Sequence, residues 1–435
     1  MQDTDVPGDN AEPDRGCAAG GRDPGAAVLG REAHGVWAIL AAWAEAAPVP
    51  VVAALADVSS VHARRHLEHL VRCGLAEQVP YGYRIVAGAA GRVAPGPAVL
   101  DGCGWARVAQ WCTPALFEAA SLLGAVDLPG GAPSWIEDRP EPDLPDRPAA
   151  LDWYAASYVM LMRVLRQQFD DGRDTAVWRM ALLMLMIDVA AGPGSAWREV
   201  AELGIAAARR AGYPAGEAMI GEYRGLLLLE CGEIDLARSV LEEVRGRRAG
   251  AGDQAGIARS NLALGLAQLR AGHLLEAELL FRKALDGART VGSGELAAFA
   301  MLHLGATLAR RAPVLDEAEG LLKDARWAFQ KVGRAREPYE ADALRALAGM
   351  YRRRGQLPHA LTLAAEALEV ATWAGLPINL AAVLTELGTV QEAAGDTAAG
   401  LASLREARGI YLTLGDMLRA GHLAQQITAS RPPEA

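Results

Sequence analysis

The stretch NLALGLAQLRAGHLLEAELLFRKALDGA, residues 261–288, decides the fold because its small residues recur at helical spacing. Its anchor positions lie at successive offsets of 7, 5, 4 and 3, and are Gly265, Gly272, Ala277, Phe281 and Ala284. The pattern predicts a helix, a turn at Gly272 and a second helix. A residue without a side chain in the first helix lets the second approach closely, and the large Phe281 fills the remaining gap.

The same offsets return through the second half of the chain. The matching first anchors are 40, 40, 43 and 40 residues apart, and are Gly225, Gly265, Gly305, Ala348 and Gly388. A weaker unit precedes them, around residues 181–208. Five matched units predict a stacked helical array with a concave inner face.

The repeat resembles the tetratricopeptide repeat (TPR), whose basic length is about 34 residues. A period near 40 predicts longer helices or loops than in that family. The resemblance implies that the first helix of each unit lines the concave face. Projecting the family's groove positions onto this chain gives a candidate partner-binding set: Glu222, Tyr223, Arg259, His303, Arg345, Arg352, Arg353 and Glu386. Their mixed charges suit a peptide or protein segment, although many solvated surfaces have the same composition.

Residues 31–95 form a separate compact pattern. Two helical stretches are followed by a third that starts at Ser59, a suitable N-cap, and stops at Gly74. Two short strands around Pro80 follow. Three helices and a hairpin predict a winged helix, so the fold class is mainly α, an N-terminal winged helix followed by a TPR-like α-solenoid.

The remaining segments connect or flank these two parts. Residues 1–30 are rich in Asp, Gly and Pro, which predicts a disordered tail. Residues 96–148 contain a helical segment at 105–124 and six prolines between Pro129 and Pro148, which predicts an extended linker. The repeat array then runs over 149–428, and residues 429–435 form a short tail.

The bulk composition narrows the function classes. The chain of 435 residues has a net charge of −10, which argues against a broad nucleic-acid-binding surface. Five cysteines without a C-x-x-C pair, and no signal peptide or 20-residue apolar run, predict a cytoplasmic protein. The motifs G-x-S-x-G and H-E-x-x-H are absent from the sequence, so we expect no enzymatic activity, catalytic residues, metal or cofactor.

The order of parts resembles that of actinobacterial antibiotic-regulatory STAND regulators. The stretch VVAALADVSSVHARRHLEHLVRCGLAEQVPYGYRIV is similar to the winged helix of that family, and RPAALDWYAASYVMLMRVLRQQ to the segment that opens its TPR sensor. The resemblance covers residues 36–423. The chain lacks G-x-x-x-x-G-K-[ST], so the nucleotide switch of that family is missing.

The third helix of the winged-helix pattern carries the candidate DNA contacts His62, Arg64, Arg65, His69 and Arg72. Residues 31–95 nevertheless hold six Arg and five acidic residues, a net charge of only +1, and DNA affinity depends on phosphate neutralisation. His62, His66 and His69 share a helical face, but no further ligand completes a metal site. Packing on protein is therefore favoured over DNA binding.

The sequence predicts a non-enzymatic regulatory or adaptor protein. A peptide or protein partner would bind in the concave groove and change how the array packs on the winged helix. One alternative is a DNA-binding transcriptional regulator whose array senses a ligand or dimerises, and another is a passive assembly scaffold. The sequence leaves homodimerisation open and predicts no membrane association.

Overall fold

The computed structural model describes residues 29–43, 46–89, 102–124, 144–311, 315–333 and 337–430. Within these ranges the chain is mainly α, with eighteen helices and two short strands. Most of the predicted N-terminal tail, the Pro-rich segment from 125 to 143 and the last five residues lie outside the described residues. Across the part of the chain that is described, no helix is long and apolar enough to cross a membrane.

The N-terminal unit contains three helices followed by a hairpin. These elements are α1 (Arg31–Trp43), α2 (Val49–Ala56), α3 (Ser60–Arg72), β1 (Ala76–Val79) and β2 (Gly82–Ile85). The two strands pair antiparallel, and Ala47, between α1 and α2, bridges to Tyr83 of β2. The Ser59 side chain accepts a hydrogen bond from the His62 backbone N–H, so it caps α3 as the sequence predicts.

Two longer helices connect this unit to the repeats: α4 (Gly102–Leu122) and α5 (Arg147–Asp170). Helix α4 packs against α2 and α5, and Trp105 stacks on Trp43 of α1 with ring centroids 5.3 Å apart. From α5, Arg163 donates to the Trp43 carbonyl at 2.8 Å. One hydrophobic core therefore runs from Val36 in the N-terminal unit to Ala267 in the array.

The array consists of antiparallel helix pairs that stack side by side. Its helices are α6 (Asp174–Ala191), α7 (Trp197–Arg210), α8 (Pro214–Glu230), α9 (Ile234–Gly250), α10 (Gln254–Arg270), α11 (Leu274–Thr290), α12 (Gly294–Ala309), α13 (Leu315–Val332), α14 (Glu337–Arg353), α15 (Leu357–Ala374), α16 (Pro377–Ala393), α17 (Thr397–Thr413) and α18 (Met417–Ala429). Most contain 17 residues, so the period of 40 comes from long helices rather than long loops.

Glycines with positive φ end most helices. Gly212, Gly232, Gly252, Gly272 and Gly292 follow one another at intervals of twenty residues, with φ between 64° and 83°. Side chains other than glycine rarely adopt this conformation, so the glycines terminate each helix and start the reversal. Two such intervals make one repeat.

The small anchors lie where the two helices of each unit meet. A Cβ atom on Gly265 would lie 2.6 Å from Cδ1 of Phe281, which is fully buried between Ala277 and Ala284. Gly225 meets Leu241 and Gly388 meets Leu404 in the same way. The prediction that small residues allow the close approach of paired helices is confirmed.

The array curves until distant parts of the chain touch. Arg419 at the start of α18 pairs with Glu230 at the end of α8, with 2.7 Å between Nη2 and Oε2. Arg147 at the start of α5 bonds Glu337 of α14 and the Ala374 carbonyl at the end of α15, both at 3.0 Å. These contacts bring segments that are far apart in sequence together beside the concave face.

Candidate functional site

A cavity of about 600 Å³ occupies the concave side of the array. Its walls come from α6, α8, α10, α12, α14 and α16, the first helices of successive units, and from residues 123 and 124, the turn that follows α4. Much of the lining is apolar, including Met186, Leu226, Leu262, Phe299, Tyr339 and Ile378. A cavity of this size and composition is typical of ligand sites.

Charged groups line another part of the cavity. Arg259, Arg270 and Arg419 face Glu222 and Glu230. Glu230 accepts hydrogen bonds from both Arg270, at 2.8 Å, and Arg419, at 2.7 Å. Glu222 pairs with Arg248, a buried residue of α9, so its carboxylate is already held within the repeat wall.

A smaller cavity of about 210 Å³ shares His303, Asp342 and Arg345 with the larger one. Its floor is Leu302 and three small residues, and its polar lining adds Arg310, Arg353 and Glu386. The small residues, Ala306, Ala346 and Gly349, leave the space that the long cationic side chains surround.

The structure brings most of the predicted groove residues together. Glu222, Tyr223, Arg259, His303 and Arg345 line the larger cavity. Of the remaining three, Arg353 and Glu386 line the smaller cavity. Arg352 lines neither cavity and pairs with Glu386, with 3.0 Å between Nε and Oε1. The predicted residues therefore lie on one side of the array. Several of them, such as Glu222 and Arg352, form ion pairs with other residues of the array.

Burial determines which of these groups are charged. It lowers the pKa of His303 to about 4, so the ring is neutral at pH 7, and it stacks on Phe281 at 5.6 Å. For Arg345, burial alone would lower the pKa, but Asp342, with smaller effects of Glu386 and Tyr411, raises it above the usual value. For Arg353, burial lowers the pKa, the carboxylate of Glu386 acts in the opposite direction, and neighbouring Arg352 and Arg310 lower the pKa further. The positive charge of the site therefore comes from arginines alone.

Sequence reasoning missed one regular feature of this surface. Glu230, Arg270, Arg310 and Arg353 each follow by five residues the small anchor of their unit, and all four line the cavities. The same register that revealed the repeat therefore marks a row of ionic side chains. Asp342 and Arg419 were also missed, and Arg419 reaches the cavity only because α18 closes against α8.

The candidate DNA contacts lie on an outer surface. Arg64, Arg65 and Arg72 are exposed on α3, whose main contacts are with α1, α2 and β1. His62 bonds the Ser59 hydroxyl at 2.7 Å, and His69 lies 3.8 Å from the Cys73 sulfur. The third histidine of this stripe, His66, pairs with Glu32 of α1 at 3.1 Å.

Metal-binding or nucleophilic chemistry would require clustered His, Cys, Asp or Glu side chains or an activated thiol. Within the described ranges, no three His, Cys, Asp or Glu side chains are arranged to hold a metal ion. Cys112 is buried in α4, and burial raises the pKa of its thiol well above the usual range. This environment keeps the sulfur protonated and makes it a poor nucleophile.

No family model matches the chain, and a search of curated proteins finds no match. Among solved structures, the chain is similar to a STAND protein with a tetratricopeptide repeat sensor from Pyrococcus horikoshii. The TM-score is 0.51 at 13% identity, and the alignment covers 91% of this chain and 53% of that protein. The chain thus spans about half the length of that relative, and the likeness shows a TPR-like helical repeat fold.

Two further structures resemble part of the array. The apo quorum sensor NprR from B. thuringiensis has a TM-score of 0.40 at 12% identity, covering 63% of this chain and 79% of that one. A Rap protein complexed with Competence and Sporulation Factor has a TM-score of 0.36 at 12% identity, covering 64% of this chain and 98% of that one.

Proposed function

We propose that the protein is a non-enzymatic regulatory or adaptor protein that captures a peptide or protein segment on the concave face of its repeat array. The observation that carries this proposal is the cavity of about 600 Å³, lined by first helices and by five of the eight predicted groove residues. Its combination of apolar wall and paired charges suits a peptide, which offers apolar side chains together with a polar backbone.

We further propose that residues 31–95, of which the structure describes 31–43 and 46–89, are a winged helix that receives the signal of capture. Helix α4 provides the physical route. The turn that follows it, residues 123 and 124, lines the cavity, and the helix itself packs on α2, where Arg107 donates to the Ala54 carbonyl at 2.8 Å. A partner in the cavity would therefore touch an element that is itself packed on the N-terminal unit.

The capture proposal is tested by replacing Arg345, Arg352 and Arg353 with Gln in one variant. Glutamine keeps much of the side-chain length but removes three positive charges from the groove side. We expect the variant to lose the proteins or peptides that the wild type retains in a pull-down from native lysate, identified by mass spectrometry. Capture that persists unchanged would place recognition elsewhere.

The matched control is R173Q/R209Q/R238Q. Its three arginines form ion pairs at the surface, with half-exposed or exposed side chains, and line neither cavity. Circular dichroism must show both variants folded, because Arg345 also holds Asp342. Hydrogen exchange of residues 31–89 with and without the captured partner then tests the switch, and unchanged protection would favour a passive scaffold.

A second candidate function is DNA binding through α3. It is favoured by one observation: within the described residues, Arg64, Arg65 and Arg72 form no ion pair and are exposed together on α3. A gel-shift assay at increasing salt tests it, because phosphate contacts produce a steep loss of affinity with salt. Absence of binding at low salt would remove this candidate.

A further inference from the structure

Positively charged side chains outnumber negatively charged ones in the lining of the smaller cavity. Three arginines, Arg310, Arg345 and Arg353, face two acidic residues, Asp342 and Glu386. Both of its acidic residues already have partners: Asp342 accepts two hydrogen bonds from Arg345, at 3.0 and 3.1 Å, and Glu386 accepts one from Arg352 at 3.0 Å. Within the described residues, Arg310 and Arg353 form no ion pair. Arg353 uses one donor, Nε, for the Ala309 carbonyl at 3.0 Å.

The side chains of Arg310 and Arg353 are exposed and both line the smaller cavity. The positive charge of Arg310 acts against that of Arg353, whereas the carboxylate of Glu386, which also pairs with Arg352, favours it. The planar forks of N–H groups on the two arginines match the two oxygens of a carboxylate or phosphate. An anion between the two arginines would add a second negative charge beside Glu386, while neutral His303 would not repel or attract it strongly.

The space itself fits a small group. A volume of about 210 Å³ is far above the roughly 10–15 Å³ that a single water molecule requires, so a carboxylate group fits. This space exists because Ala306, Ala346 and Gly349 contribute little or no side chain. It opens into the larger, mostly apolar cavity through the shared residues His303, Asp342 and Arg345.

We propose that the smaller cavity is an anion subsite, in which Arg310 and Arg353 hold a carboxylate of the captured peptide while its apolar residues occupy the larger cavity. The carboxylate is either the free C-terminus or an acidic side chain near it. This inference rests on the proposed function and defines the chemistry of its ligand.

The test uses fluorescein-labelled peptide pools with five randomised uncharged residues. One pool ends in leucine with a free carboxylate, one in leucine amide, and one in glutamic acid amide. Fluorescence anisotropy with the full chain measures each affinity. We expect at least one carboxylate-bearing pool to bind about tenfold or more tightly than the leucine amide pool. Which of the two does so distinguishes the C-terminus from a side chain.

The variant R310Q/R353Q should reduce the affinity of the carboxylate pools to that of the leucine amide pool and leave the latter unchanged. The control R173Q/R238Q, whose arginines line neither cavity, should bind like the wild type. Equal binding of all three pools by the wild type would overturn the anion subsite and leave peptide capture standing. Binding of none of the pools would count against peptide capture and the subsite together.

Discussion

At the scale of single residues, glycines have two different structural roles in this chain. Gly272 and its equivalents reverse the chain with positive φ, whereas Gly265 lies within a helix with ordinary dihedral angles and is needed only for space. Gly246 of α9 is a useful contrast, because a Cβ atom there would meet nothing within 4 Å. The same substitution should therefore have opposite effects at the two helical positions.

We expect G265A to destabilise the protein by about 1–3 kcal/mol, because the added methyl would overlap the buried ring of Phe281. G246A should stabilise by up to about 1 kcal/mol, because alanine has the higher helix propensity and the site has room. Urea denaturation followed by circular dichroism measures both. Equal stability of the two variants would contradict the role assigned to Gly265.

At the scale of secondary-structure elements, the pairing of α5 with α6 buries a carboxyl group. Asp188 of α6 is fully buried, and Tyr154 of α5 donates to its Oδ1 at 2.9 Å. Burial raises the pKa of Asp188 to about 7 from the usual 3.8, although the hydrogen bonds from Tyr154 and the Gly194 backbone act in the opposite direction. The protonated form therefore fits this helix interface better than the ionised form.

The sign of the pH dependence follows from this shift. Between pH 4 and pH 7 the unfolded chain has released the Asp188 proton while the folded chain retains it. The contribution of Asp188 to stability is thus fully present below about pH 4 and is lost as the pH rises through 7. We expect D188N, which cannot ionise, to be more stable than the wild type at pH 8, by on the order of 4 kcal/mol at most.

Thermal denaturation at pH 5 and pH 8 measures the effect, and the difference between D188N and the wild type should be smaller at pH 5. D324N, at an exposed position of α13, serves as the control and should change little at either pH. A difference between D188N and the wild type that does not grow with pH would contradict the raised pKa.

The individual helices could be predicted well from the sequence, because the interactions that define them join residues close together in the chain. Helix length, glycine turns and close pairing within a unit depend on residues fewer than about twenty positions apart, such as Gly265 and Phe281. The winged-helix interpretation of residues 31–95 stays a prediction, although the order of helices and hairpin agrees with it. Helix α4 could not be assigned to the shared core from its sequence, because its partners Trp43 and Arg163 lie far away along the chain.

At the scale of the whole molecule, the site depends on contacts between distant segments. Arg147 was predicted to belong to the Pro-rich linker, and the structure places it at the first residue of α5, with only 8% of its surface exposed. It donates to the Leu122 carbonyl at 2.8 Å, and to Glu337 and the Ala374 carbonyl, which are 190 and 227 residues away in sequence. Spacing rules within one repeat contain no information on such pairs.

We expect R147M to cost about 3 kcal/mol, because methionine preserves the apolar stem but leaves Glu337, the buried Ala374 carbonyl and the part-buried Leu122 carbonyl without their donor. R238M, which removes an arginine of a surface ion pair with the exposed Asp235, should change stability by less than about 0.5 kcal/mol. Urea denaturation compares the two. A small effect of R147M would show that the packing of α4 and α5 on the array does not depend on this residue.

The contact between Arg419 and Glu230 also restricts the gain or loss of repeat units during evolution. An open helical array can gain or lose units during evolution, because each unit touches only its neighbours. Here, duplication or deletion of one 40-residue unit would displace α18 relative to α8 and separate this pair. Related chains that keep this contact and the cavity beside it should therefore share the same number of units and vary mainly in the residues that face inward.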